Sequence, residues 1–179
     1  MATIPSIRDW LYGEFLTDAK MDEISAMLSF TSGKLGGFFI GYQTVAQSVS
    51  NNTPSPINLD AEVIDIDGGH STSLNTSRYT LQTDGYYFAA GIYAAAANNT
   101  GERRADLYKN GSILTVPYRV NVNAVTQSGE PTCVQSFGFI TGVVGDYIQL
   151  VGTQQSGGAL NTEVTATKSS LLVCHLKVN

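Results

Sequence analysis

Charge is the first thing this sequence is short of: only 14% of its 179 residues are Asp, Glu, Lys or Arg. Long solvated helices carry their polar faces on such residues, so they are excluded as the main architecture. Positive charge is scarcer still. Ten Lys and Arg against 15 Asp and Glu leave a net charge of −5, which excludes the basic stripe of a nucleic-acid binder. There are two cysteines, Cys133 and Cys174, with no second pair to complete a zinc site. Each lies in an apolar run ("TCVQSFGF", "SLLVCHL") and is expected as a buried free thiol, with a disulfide as the alternative. No apolar stretch reaches bilayer length; "KLGGFFIGYQTV" is short and broken by glycine, so membrane insertion is not expected. The opening "MATIPSIRDW" lacks the basic, apolar and small-residue order of a secretory leader, and folding in a cytosol is the expectation.

What is present is a 42% hydrophobic share, enough for a core, together with 18 glycines and much Ser, Thr and Asn. That mixture suits many short strands joined by turns. The length suits one core with a small appendage.

The appendage falls in residues 1–37. Thr17 is placed to cap a helix, and Asp18, Asp22 and Glu23 suit its positive end. Met21, Ile24, Met27 and Leu28 follow at helical spacing, preceded by Trp10, Leu11, Phe15 and Leu16. One short helix cannot bury its own stripe, so this segment lies either on its own domain or on a partner subunit. Residues 38–55 read as a lead-in strand and linker ending in the turn Asn51-Asn52-Thr53-Pro54.

From residue 56 to 179 the pattern is strand throughout. Ile57, Leu59, Ala61 and Val63 alternate with polar residues, and seven further runs follow, among them "GYYFAAGIYAAA", "TCVQSFGFI" and "SSLLVCHLKV". Asn110-Gly111 is the strongest hairpin signal, because both central positions of a type I′ turn need positive φ. The fold class is therefore all-β, a jelly-roll β-sandwich with a short N-terminal helical anchor.

Catalysis has little to work with. His70 follows Asp65 and Asp67, yet no nucleophile context accompanies it, and His175 lies inside the last strand. No catalytic residue is assigned. "DIDGG" places Asp65 and Asp67 beside glycines, a pattern read as a solvated turn, with a calcium site as the alternative. No cofactor is expected.

The order of the strand pieces resembles the complement-type and tumour-necrosis-factor-like globular head. Gly85 and Tyr87 match its Gly-x-Tyr strand, Asn110 and Gly111 its hairpin, and Gly145, Asp146, Ile148 and Leu150 its Gly-Asp turn and following strand. Ala89 stands where that family has an aromatic, and "SSLLVCHL" replaces its closing Phe-x-Gly. Over nearly the whole chain the sequence also resembles small virion proteins of tailed bacteriophages of actinobacterial hosts. Trp10, Gly13, Glu14, Leu16 and Thr17 carry that likeness at the start, with Met21-Asp22 in place of a Leu-Asn. "DGGHSTSLNTSRYT", "NNTGERRADLYKNG" and "GDYIQLVGTQQSGGALNT" carry it later.

These resemblances imply a homotrimeric virion surface protein, a capsid (head) decoration protein or else a minor tail or tail-tip protein contributing to host attachment. Its partners would be phage capsid or tail proteins, with a host-surface glycan as a further candidate. Trp10, Phe15, Leu16, Met21, Ile24, Met27 and Leu28 would anchor it to the particle. Tyr87 and Tyr147 are candidates for the trimer interface or for the core, and a tyrosine platform for sugar is the third reading. Arg103 and Arg104 are candidates for a bidentate pair with a neighbouring subunit, or for an ion pair within the domain. A stand-alone carbohydrate-binding module is the competing class.

Overall fold

The chain was analysed as a computed structural model, in which residues 37–115, 120–121, 124–125 and 129–177 are described. Contacts divide the chain into Met1–Leu35 and Gly36–Asn179, and the second unit is the subject here. The expected helix and anchor, with Trp10, Phe15, Leu16, Met21, Ile24, Met27 and Leu28, lie outside the described residues.

Among the described residues there is no helix. The strands are β1 (Phe38–Tyr42), β2 (Ser48–Val49), β3 (Ser55–Pro56), β4 (Ala61–Asp65), β5 (Tyr79–Thr80), β6 (Gly85–Ala95) and β7 (Glu102–Lys109). They continue with β8 (Ser112–Ile113), β9 (Val120–Asn121), β10 (Ala124–Val125), β11 (Thr132–Gly142), β12 (Tyr147–Gln154), β13 (Leu160–Asn161) and β14 (Ser170–Lys177). One sheet runs β4-β1-β14-β6-β11-β9; the other runs β10-β7-β12-β3, with β5 also beside β12 and β8 beside β7. A small ribbon, β13-β2, stands apart. Pairings between named strands are antiparallel, and the crossing from β6 to β7 and back to β11 wraps the chain around two sheets as a jelly roll.

Alternation decides which side chains meet between the sheets. On β6 the inward set is Tyr87, Ala89, Gly91, Tyr93 and Ala95; on β12 it includes Ile148, Leu150 and Gly152. Two glycines make the approach possible. A Cβ on Gly91 would lie 2.6 Å from Leu150 Cδ1, and one on Gly152 would lie 2.7 Å from the Tyr93 ring. Each sheet thus gives up a side chain where the other presents a large one. Phe39 and Tyr79 stack at 4.8 Å and extend the core towards β1.

The Asn110-Gly111 turn forms as its residues require, with φ of 52° and 74°. The lead-in strand of residues 38–55 is β1, which pairs with both β14 and β4. Two expectations are corrected. The alternation from Ile57 to Val63 does not hold to its end. Ile57 and Leu59 are buried, but Val63 is 69% exposed, because pairing skips from Ile40↔Ile64 to Gly41↔Glu62 and leaves Val63 in a β-bulge on an edge strand. Finally, Cys133 is exposed and Cys174 half-buried, both free, because Val134 and Val173 take the inward positions beside them.

Gly152→Ala drives a methyl into the Tyr93 ring and is expected to destabilise the fold by about 1–3 kcal/mol. Denaturant unfolding monitored by tryptophan-independent circular dichroism checks this. Ser156→Ala, on a surface loop, is the control expected to change little.

Candidate interaction face

The β4-β1-β14-β6-β11-β9 sheet has a second apolar side. Facing away from the core, register aligns Phe139, Phe88, Cys174 and Phe38 in one row across β11, β6, β14 and β1. The adjacent row is Phe137, Ala90, Leu172, Ile40 and Ile64. Phe88 touches Phe139 at 5.4 Å between ring centres, and Phe137 at 6.5 Å. Phe139 is 58% exposed and Phe137 45%. From Phe38 to Tyr42, Tyr86 to Ile92, Cys133 to Thr141 and Ser170 to Leu176, no outward position is charged. A strand in an open two-sheet sandwich normally alternates apolar inside with polar outside, so a sheet apolar on both faces asks to be covered.

Of the residues weighed for a trimer contact or for the core, Tyr87 and Arg103 are buried within the protomer, while Arg104 and Tyr147 are partly exposed. Tyr87 points into the core, donating its hydroxyl to the Thr83 carbonyl and packing on His175 at 4.8 Å. Arg103 is fully buried in its own protomer, where NH1 donates to the carbonyls of Thr100 (3.0 Å) and Glu102 (2.9 Å). Burial pushes its guanidinium below its ordinary value, and the same burial raises nearby Tyr93 to about 12. Arg104 pairs within the domain, its Nε donating to Asp106 Oδ2 at 2.8 Å. Tyr147 is half-buried, with the Arg78 guanidinium 4.9 Å above its ring. Neither Phe137 nor Phe139 was singled out from sequence. The signal was there in "QSFGFI", an alternating run whose apolar residues occupy both phases.

Around "DIDGG" the carboxylate of Asp65 serves the backbone: it accepts the N–H groups of Gly68 (3.1 Å), Gly69 (3.3 Å) and His70 (2.9 Å). His70 turns away from Asp65 and Asp67. Its Nδ1 meets Glu62 Oε1 at 2.7 Å and its Nε2 meets the Thr76 carbonyl at 3.0 Å, so the ring ties the loop to β4. Both ring nitrogens face acceptors, which leaves no basic nitrogen directed at a reacting group. Among the described residues no group of three His, Cys, Asp or Glu converges as metal ligands. Nor is any helix there long and apolar enough to cross a membrane.

The Gly145–Thr162 stretch fixes loops to strands. Asp146 accepts from Lys109 Nζ (2.7 Å), Asn110 Nδ2 (2.7 Å) and Val143 N (3.0 Å), and Asn110 Oδ1 accepts Tyr147 N at 2.9 Å. The Lys109 hydrogen bond, chief among these donors, holds the Asp146 carboxyl down at about 2. Buried Gln154 organises the glycine-rich loop after it, donating to the carbonyls of Val49 (2.9 Å) and Gly158 (2.7 Å) and accepting Ser156 N (2.7 Å).

No protein-family model and no curated protein matches the sequence. Solved structures do resemble the fold. The globular domain of zebrafish complement 1qA protein superposes with a TM-score of 0.57 at 10% identity, covering 80% of this chain and all (100%) of that one. Murine APRIL at pH 8.0 gives 0.56 at 12% identity over 78% of this chain and 98% of its own. Eiger TNF from S. frugiperda gives 0.52 at 15% identity over 80% and 92%. The architecture is a complement-1q and TNF-like jelly roll.

Asp146→Asn is expected to cost about 1–2 kcal/mol at neutral pH, since its donors lose a charged acceptor. The folded carboxyl sits below its unfolded value of about 3.9, so its contribution is present above that pH and is lost as pH falls towards 2. Unfolding curves of the two proteins should therefore be apart at pH 7 and converge near pH 2.

Proposed function

We propose that this chain is a homotrimeric structural protein on the surface of a tailed-phage particle, attached through residues 1–37 and displaying the jelly roll. The observation that carries self-association is the uncharged outer sheet face centred on Phe88, Phe137 and Phe139. Left in water these rings cost roughly 25 cal/mol per Å² of apolar surface, and a second copy of the same chain is the partner always present where it folds. Three copies arranged head to tail around an axis cover the face and close the ring. The role is non-enzymatic: it rests on a built surface rather than a reactive constellation.

The virion placement is supported by the resemblance carried by Trp10, Gly13, Glu14, Leu16 and Thr17 and by the stripe Met21, Ile24, Met27 and Leu28 that follows. Attachment by this segment leaves the sandwich outermost. Within that reading we favour head decoration, reinforcing the shell. A minor tail or tail-tip protein is the second reading, favoured to the extent that the sandwich binds a host surface sugar.

The expected mass by sedimentation equilibrium of the full chain is three times that of the monomer, and Phe137→Asp with Phe139→Asp should shift it to one copy without loss of β signal. A monomeric wild-type chain at micromolar concentration would overturn the trimer. Deleting residues 1–36 should leave the trimer and abolish its sedimentation with phage particles; truncated protein that still joins particles fully would end the anchoring role.

A further inference from the structure

The loop between β4 and β5, with the start of the loop after β5, lines an open surface cavity of about 300 Å³ whose wall includes Gly69, Ser71, Leu74, Asn75, Arg78 and Gln82. We propose that this cavity binds a carboxylate-bearing sugar residue, with Arg78 as the group that receives the carboxylate. The argument begins with the wall's rigidity. Asp65 holds three successive N–H groups of the loop, His70 ties it to Glu62 and Thr76, and Thr80 N donates to Gly69 O at 2.7 Å. Asn75 adopts a φ of 55° to turn the chain, and Arg78 N closes that turn on its carbonyl at 3.2 Å. The site is therefore formed before any ligand arrives, which lowers the ordering cost of binding.

Arg78 is the distinguishing group. Among the described residues Lys109 and Arg104 are spent on carboxylates, and Arg103 on buried carbonyls. The Arg78 guanidinium has no hydrogen-bond or ion-pair partner there; its contact is the Tyr147 face 4.9 Å away. The ring contact restrains the guanidinium without using its N–H donors, which stay available to read a carboxylate with two parallel hydrogen bonds. On a chain of net charge −5, an anion can be drawn in only by such a local cation.

One cation favours one negative charge. Glu62 is held by His70 and Asp65 by backbone N–H groups, while Asp67 acts on Tyr79. A doubly charged phosphate would need a second cation that the lining does not supply, whereas a carboxylate is matched by Arg78 alone. The remaining surface suits a sugar body: the Asn75 amide and Gln82 carbonyl oxygen can meet hydroxyls, and exposed Leu74 offers an apolar patch to a ring face.

This inference does not rest on the virion reading, although sugar binding here would favour its tail alternative. The test is an NMR titration of the full-length protein with methyl glucuronide, methyl glucoside and glucose 6-phosphate. The glucuronide is expected to bind in the millimolar range and to move the amide signals of Gly69, Ser71, Asn75 and Arg78. The neutral glucoside should bind at least about tenfold more weakly, and Arg78→Gln should remove that preference while Arg78→Lys keeps part of it. Equal binding of acid and neutral sugars, perturbed signals elsewhere, or no binding of any probe would each overturn the proposal. Tighter binding of the phosphate ester would also overturn it, by assigning the cavity to phosphate. Sedimentation of the Arg78 variants, expected to match wild type, separates failure of this site from failure of self-association.

Discussion

The structure depends on a single steric exchange: Gly91 yields to Leu150, and Gly152 yields to Tyr93. Those two contacts set how closely the sheets stand, with a large side chain of one sheet filling the place that a glycine of the other leaves open. On β6 the small residues Ala89, Gly91 and Ala95 share the inward phase with two large ones, Tyr87 and Tyr93, while Tyr86, Phe88 and Ile92 fall in the outward phase. The same assignment governs β11, where Ser136 and Gly138 are buried and Phe137 and Phe139 are not. Apolar residues in both phases of this strand pair leave an apolar outer face, and that face is the ground for the proposed self-association.

That logic also explains which polar groups are buried. Arg103 replaces a core apolar residue at the end of β7, yet it is held by carbonyls of the turn it follows. Its role is to close a loop in place of a helix cap, and no neighbouring carboxylate is needed. Gln154 does the same for the glycine-rich loop after β12. Both residues convert backbone groups that would otherwise be unpaired into satisfied ones, which is what lets long polar loops run over a small core. The stretch with no reactive residue is chemically quiet because its side chains serve the backbone.

Much of this was legible in the sequence, for physical reasons that also mark where legibility ended. The Asn110-Gly111 hairpin and the Gly145-Asp146 turn are local: two residues with positive-φ tolerance suffice to specify each, and both formed. Strand identity was readable because the runs are long and period two survives within them. Facing was not. "GYYFAAGIYAA" and "QSFGFI" carry apolar residues in both phases, and only the pairing with β14 and β11, under the opposite sheet, decides that Tyr87 goes in and Phe88 goes out. A bulge at Val63 is invisible for the same cause, since it depends on which residue of β1 lies opposite. The fate of the arginines hinged on one further variable, the position of the loop at 98–102, which no spacing rule encodes.

The loop cavity follows from the turn chemistry rather than from a separate design. Asp146 fixes Asn110, Asn110 accepts the N–H of Tyr147, and Tyr147 pairs with Thr80 across β12 and β5. The ring so positioned lies under Arg78, the residue immediately before β5. A guanidinium on a free loop would sample many directions and find a carboxylate of its own chain; this one is held by a chain of contacts that starts at the Asp146 carboxyl. The hairpin and Gly-Asp turn that close the sandwich thereby also position Arg78, the one uncommitted arginine among the described residues, and the surface chemistry of the loop is inherited from the fold beneath it.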